Sequence, residues 1–138
     1  MKILAVDLGR VRTGLAISDP TGFIATPVGT ITQRDINKLV LEVSETARQE
    51  GADEIVVGHP RNMDGTCGES AHMAESFAKA LKTETGLPVR LWDERMTTMS
   101  AIGILNETNT RGKKRKAVVD TVAATIILQD YLDSLKNK

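Results

Sequence analysis

The chain's apolar positions fall first into short runs and only later at helical spacing. Ile3–Leu8, Leu15–Ser18 and Phe23–Ile31 are apolar or β-branched stretches punctuated by Gly9, Gly14 and Pro20-Thr21-Gly22, and they predict a three-strand meander. Ile36, Leu39, Val40, Val43 and Ala47 then form a helical stripe that Gly51 closes. Glu54–Gly58 (EIVVG) reads as a short central parallel strand. A second helix from about Glu69 carries Met73, Ala74, Phe77, Ala78 and Leu81 and stops at Gly86. Val89–Trp92 is a further strand, followed by a short helix from Thr97 or Thr98 to Leu105. A polar stretch, NETNTRGKKRK, precedes the last helix, Ala117–Leu135. Three strands followed by alternating helices and strands predict one α/β domain over residues 1–138, a mixed sheet with helices on both faces.

Composition narrows the class but names no partner. At 138 residues and 41% hydrophobic the chain suits a single core. Lys plus Arg and Asp plus Glu number 18 each, so any nucleic-acid reading must rest on local clusters. The lone cysteine, Cys67, excludes an internal disulfide framework and fits a reducing cytosol. No apolar run reaches the length of a bilayer span and the N-terminus reads as a strand, so a soluble intracellular protein is expected.

The chemistry lies in the acids. Asp7 ends the first predicted strand, Asp93-Glu94 end the last, and functional groups gather at the carboxyl ends of parallel strands. Asp120 shares a helical line with Ala124, Ile127 and Tyr131, so it faces inward near the start of the final helix. Alone, Asp7 would serve loop amides and Asp120 a helix start; together the three repel unless a cation lies between them. Oxygen-only ligands suit Mg²⁺ or Mn²⁺, and two such ions roughly 3.5–4 Å apart would activate water against a phosphodiester. If EIVVG lies between the strands of Asp7 and Glu94, their backbones are about 9–10 Å apart. The longer Glu94 is therefore preferred to Asp93, Gly58 leaves the gap open, and Asp93 pairs with Arg95 or caps the next turn.

Cations stand beside these acids. Arg111–Lys116 (RGKKRK) directly precedes the helix of Asp120, and Lys113, Lys114, Arg115 and Lys116 are expected to hold phosphates from a mobile loop. Arg10 and Arg12 follow Asp7, and the loop RNMDGTCG, with Arg61 and Asn62 at its start, leads into a helix N-terminus that can receive a phosphate. Cys67 reads as a bystander. His59 and His72 lack ligand spacing with each other, although His59 follows Gly58 at the cleft, and Trp92 reads as core. Aromatics at 3% argue against a base-stacking platform.

VDLGRVRTGLAISD, VVGHPRNMDGTCG, LWDERMTT and DTVAATIIL occur in the order and spacing of the YqgF family, which the chain resembles over nearly its whole length. That family is described as pre-16S rRNA nucleases or Holliday-junction-resolvase-like proteins with a ribonuclease H-like fold. The resemblance implies a five-stranded sheet of order 3-2-1-4-5 and puts the family's acids at Asp7, Glu94 and Asp120. It further implies a cytoplasmic metal-dependent nuclease, monomer or homodimer, acting on precursor rRNA in pre-ribosomal particles or on branched DNA. Val11, His59 and Met96 depart from the family pattern and bear on substrate contacts rather than on the acids. A non-catalytic ribosome-assembly factor of the same fold remains the alternative. The Asp-x-Gly turn also resembles the phosphate loop of sugar kinases and actin-like ATPases, which need two such domains.

Overall fold

The computed structural model describes residues 1–60, 68–94 and 112–136, with side chains in the last segment described from Val122 onward. Its elements are β1 (Ile3–Asp7), β2 (Arg12–Ser18), β3 (Ala25–Thr32), α1 (Ile36–Glu50), β4 (Glu54–His59), α2 (Glu69–Thr85), β5 (Val89–Asp93) and α3 (Gly112–Lys136). The strands form one sheet in the order β3-β2-β1-β4-β5. β1 pairs antiparallel with β2, and β1, β4 and β5 run parallel. This is the expected mixed sheet of order 3-2-1-4-5. The expected helix at Thr97 or Thr98 to Leu105 lies outside the described residues.

Alternation along the central strands builds two cores of different grain. Leu4, Val6, Leu15, Ile17, Ile55 and Val57 face α1 and α2, meeting Leu39, Val43, Phe77 and Leu81. On the opposite face Ile3, Ala5, Ala16 and Val56 receive Ala124, Ile127, Leu128, Tyr131 and Leu132 of α3. Two of those four strand residues are alanines, so α3 can approach the sheet closely. Fully burying a Leu, Ile or Phe stabilises by roughly 1.5–3 kcal/mol, so these two layers dominate the fold. No helix among the described residues is long and apolar enough to cross a membrane.

Local chemistry fixes the ends. The Asp35 carboxylate caps α1, accepting from the amides of Asn37 at 2.9 Å and Lys38 at 3.3 Å. Gly51 and Gly86 close α1 and α2 at φ of 70° and 73°, a left-handed geometry that costs glycine little. Far from the acids, Glu54 is only 4% exposed. It accepts from Arg90 Nε at 2.7 Å and from the Tyr131 hydroxyl at 3.1 Å, which ties α3 to β4 and β5. Burial and the Glu54 charge push the Tyr131 phenol up to about 12.

One expectation is corrected here. The basic run is not a loop ahead of a helix at Ala117: Lys113, Lys114, Arg115 and Lys116 lie within α3, which begins at Gly112. Lys and Arg are good helix formers, and an unbroken helical stretch follows them, so propensity carries the helix back through the charges.

The turn between β2 and β3 depends on Asp19. Its carboxylate accepts from the amides of Phe23 and Ile24, each at 2.8 Å, and from the amide and hydroxyl of Thr21. The Thr21 hydroxyl and then these amides hold its pKa well below the usual aspartate range. A lowered native pKa gives stability that is present above the ordinary value and lost as pH falls through the native one. Asp19→Asn should therefore melt below wild type at neutral pH, and the gap should close as the medium becomes strongly acidic. Calorimetry across that range reads the gap; a constant difference would mean that the charge does not hold the turn.

Candidate functional site

The parallel strands β1, β4 and β5 deliver their carboxyl ends to one edge of the sheet. Asp7 is the last residue of β1, and Glu94 directly follows β5. β4 lies between those strands, as expected, and the gap is bridged at Gly58. A Cβ built on Gly58 would stand 3.2 Å from Glu94 Cδ and closer still to its Oε1. The Glu94 carboxyl thus occupies the space that a side chain at residue 58 would take. From there it hydrogen-bonds the Asp7 side chain. The glutamate arm alone spans the gap.

A hydrogen bond between two carboxyl groups requires a proton, because two carboxylates have only acceptors. Burial pushes the Glu94 carboxyl above the ordinary glutamate range, and the Asp93 charge adds to the rise. The bond to Asp7 and the His59 imidazole pull the other way.

α3 arrives from the other side. Tyr131 meets Glu54 at the start of β4, while Ile127 Cδ1 lies 3.0 Å from the Cβ position at Gly58 near its end. The helix therefore runs antiparallel to β4, and residues before Ile127 continue toward the edge that holds Asp7 and Glu94. Asp120 is seven residues, about 10 Å of helix axis, before Ile127. Its helical neighbours Ala124, Ile127 and Tyr131 are all buried, as their spacing predicted. The Asp120 side chain lies outside the described residues, and among those described no three His, Cys, Asp or Glu side chains gather as a metal site.

Around the pair, Gly9 holds the turn after Asp7 tight: a Cβ there would collide with the Arg12 carbonyl, and its amide donates to Thr13 Oγ1 at 3.3 Å. Arg10 forms an exposed ion pair with Glu69 at 3.1 Å. Arg12 opens β2 and is half-buried. Arg61 and Asn62 lie outside the described residues, as does Arg95, the expected partner of Asp93. The side chains of Lys113–Lys116 are likewise outside them. His59 ends β4 opposite Asp93. Its ring is 12% exposed and its Nε2 lies 3.8 Å from Glu75 Oε2, too far for a hydrogen bond. His72 Nδ1 reaches the same oxygen at 3.1 Å. The two histidines thus share Glu75, a residue that sequence spacing did not single out, because β4 and α2 bring it to His59 only in the folded chain. Trp92 packs edge-on against Tyr131 with centroids 5.6 Å apart, beside the core as expected.

The cradle at Gly58 is testable by adding one methyl. Gly58→Ala would force the Glu94 carboxyl and Ile127 outward and should cost about 1–3 kcal/mol by overpacking. Removing the obstacle should return part of it, so the cost should shrink in the Glu94→Ala background. Denaturant unfolding of the four variants measures the coupling. Equal costs in both backgrounds would mean that Glu94 does not sit over Gly58.

Comparison with known proteins places this arrangement. Relatives named "Putative pre-16S rRNA nuclease" include one from Lachnospira eligens, 45% identical over 137 residues and covering 97% of this chain and 98% of its own. The Bacillus subtilis relative is 42% identical over 137 residues, with 98% and 99% covered. Among solved structures, Thermus thermophilus RuvC in complex with a Holliday junction substrate matches with a TM-score of 0.62 at 12% identity, covering 97% and 96% of the two chains. The fowlpox virus Holliday junction resolvase matches at 0.54 and 15%, covering 97% and 99%. At such identities these two show a shared fold, the ribonuclease H-like architecture that the sequence motifs implied. The family model described as "RuvX: Holliday junction resolvase" matches residues 1–134, and the chain belongs to that family.

Proposed function

We propose that this protein is a divalent-cation-dependent nuclease that hydrolyses phosphodiester bonds of structured nucleic acid, acting in maturation of the 5′ end of precursor 16S rRNA. The observation that carries this reading is the Asp7–Glu94 carboxyl pair, held over Gly58 at the carboxyl ends of β1 and β5, the parallel strands that flank β4. Two acids held this close and partly desolvated fit a hard cation better than they fit each other. The names of the close relatives support the substrate.

In this reading Asp7, Glu94 and Asp120 are the catalytic acids and would hold Mg²⁺ or Mn²⁺, one ion or two. Such ions, when bound, supply Lewis acidity and lower the pKa of water. The chain's own part is geometric. β1 and β5 fix two carboxylates at one edge, Gly58 leaves room for the longer one, and α3 brings the third. Arg10, Arg12, Arg61, Asn62 and Lys113–Lys116 draw the phosphate backbone to an edge that would otherwise repel it. On α3 the four basic residues sit at the helix end where the macrodipole disfavours cations, and a phosphate there relieves that strain. The domain, residues 1–138, then works in the cytoplasm on pre-ribosomal RNA, as monomer or homodimer. The family's own description favours a second reading, cleavage of branched DNA.

Purified protein incubated with Mn²⁺ against a 5′-extended 16S precursor and a four-way DNA junction separates the two substrates. Cleavage of neither would refute the nuclease reading and leave a binding role. Mn²⁺ should raise the melting temperature, since a ligand of the native state alone stabilises it. Asp7→Asn should lose most of that gain, and an undiminished response would end the shared-site proposal. Glu94→Gln should lower cleavage roughly 10²-fold or more, several kcal/mol of lost transition-state stabilisation. It should leave nucleic-acid binding largely intact; Asp93→Asn should retain substantial activity.

A further inference from the structure

Arg10 lies three residues beyond Asp7, and its guanidinium is already engaged. Nη2 is 3.1 Å from Oε1 of Glu69, the first residue of α2, in a pair whose side chains are 66% and 83% exposed. An ion pair so open to water is cheap to break. A phosphodiester offers the same single negative charge and a similar two-oxygen face, and Arg binds phosphate bidentately. We infer that Glu69 stands in for a substrate phosphate: it holds Arg10 while the site is empty, and a backbone phosphate must displace it to engage. This rests on the nucleic-acid reading of the site given above.

The exchange has two consequences. It keeps the Arg10 side chain near α2, beside the acidic edge, rather than sweeping through solvent. It also tempers affinity, because the displaced carboxylate is left next to a polyanion and re-forms the pair as product leaves. Glu69 thus weakens binding of substrate and product alike at this one phosphate position. Glu84, near the other end of α2, is the matched acid that does not touch Arg10.

The test is a double-mutant cycle on the full chain, reading affinity for a duplex RNA by fluorescence anisotropy with divalent cations chelated. Glu69→Gln should bind roughly two- to fivefold tighter, the range that an exposed pair is worth, and the gain should fade as salt rises. Arg10→Ala should bind more weakly, and adding Glu69→Gln to it should change little. Glu84→Gln should leave affinity near wild type. A gain from Glu69→Gln that persists without Arg10 would overturn the inference, showing only a general charge effect. So would no gain in the wild-type background, or an equal gain from Glu84→Gln. Failure of the wild-type chain to bind any nucleic acid would overturn the functional reading and this inference with it, and is distinct from a failed cycle.

Discussion

Two carboxyl groups held beside each other at one edge of the sheet are the constraint on which the rest of this structure depends. Asp7 and Glu94 come from strands that are not neighbours, and each is fixed by a backbone whose register extends deep into the core. Asp7 is held by a strand buried on both faces, so separation would fall to the Glu94 arm, which lies confined over Gly58. The repulsion is therefore met locally, by a proton or by a cation, and burial makes that choice sharper than it would be in water. The absent side chain at Gly58 makes the meeting possible, since any other residue would fill the space the glutamate needs.

β4 lies between the two acids and carries neither. Its beginning, through Glu54, fastens Tyr131, and its end, through Gly58, lies against Ile127. α3 is thereby gripped at two points one helical turn apart, on a face of the sheet kept low by Ala5 and Ala16. The grip sets both the height and the rotation of the helix. The course of α3 past the sheet is thus decided in good part by two residues at the opposite ends of β4, Glu54 and Gly58.

Much of this was readable in advance, and the reason is periodicity. Runs such as EIVVG, and the stripe through Leu39, Val40, Val43 and Ala47, can satisfy their apolar residues in only one kind of element, so the element order followed. The positions of Asp7 and Glu94 at one sheet edge were legible, because a carboxylate ending an apolar strand is costly without a purpose and the longer acid after β5 has the reach. The opening at Gly58 and the reach of Glu94 were also legible; that the two carboxyls meet directly was not. Nor was the start of α3, where charge resembled a loop but propensity favoured helix. The approach of His59 to Glu75, and Glu54, shared by Arg90 and Tyr131, are tertiary meetings that leave no local trace. The hydrophobic pattern encodes which face is inside; it does not encode which polar groups will find each other there.

Trp92 is the chain's single tryptophan, and its ring lies edge-on to its single tyrosine, Tyr131, across the seam between β5 and α3. It also stands in β5, two residues before Glu94. The indole is therefore an optical probe that the protein carries already, without any label. Indole emission responds to ring packing, so it should report how closely helix and sheet are seated. A shift of the helix can be followed through one native chromophore in real time.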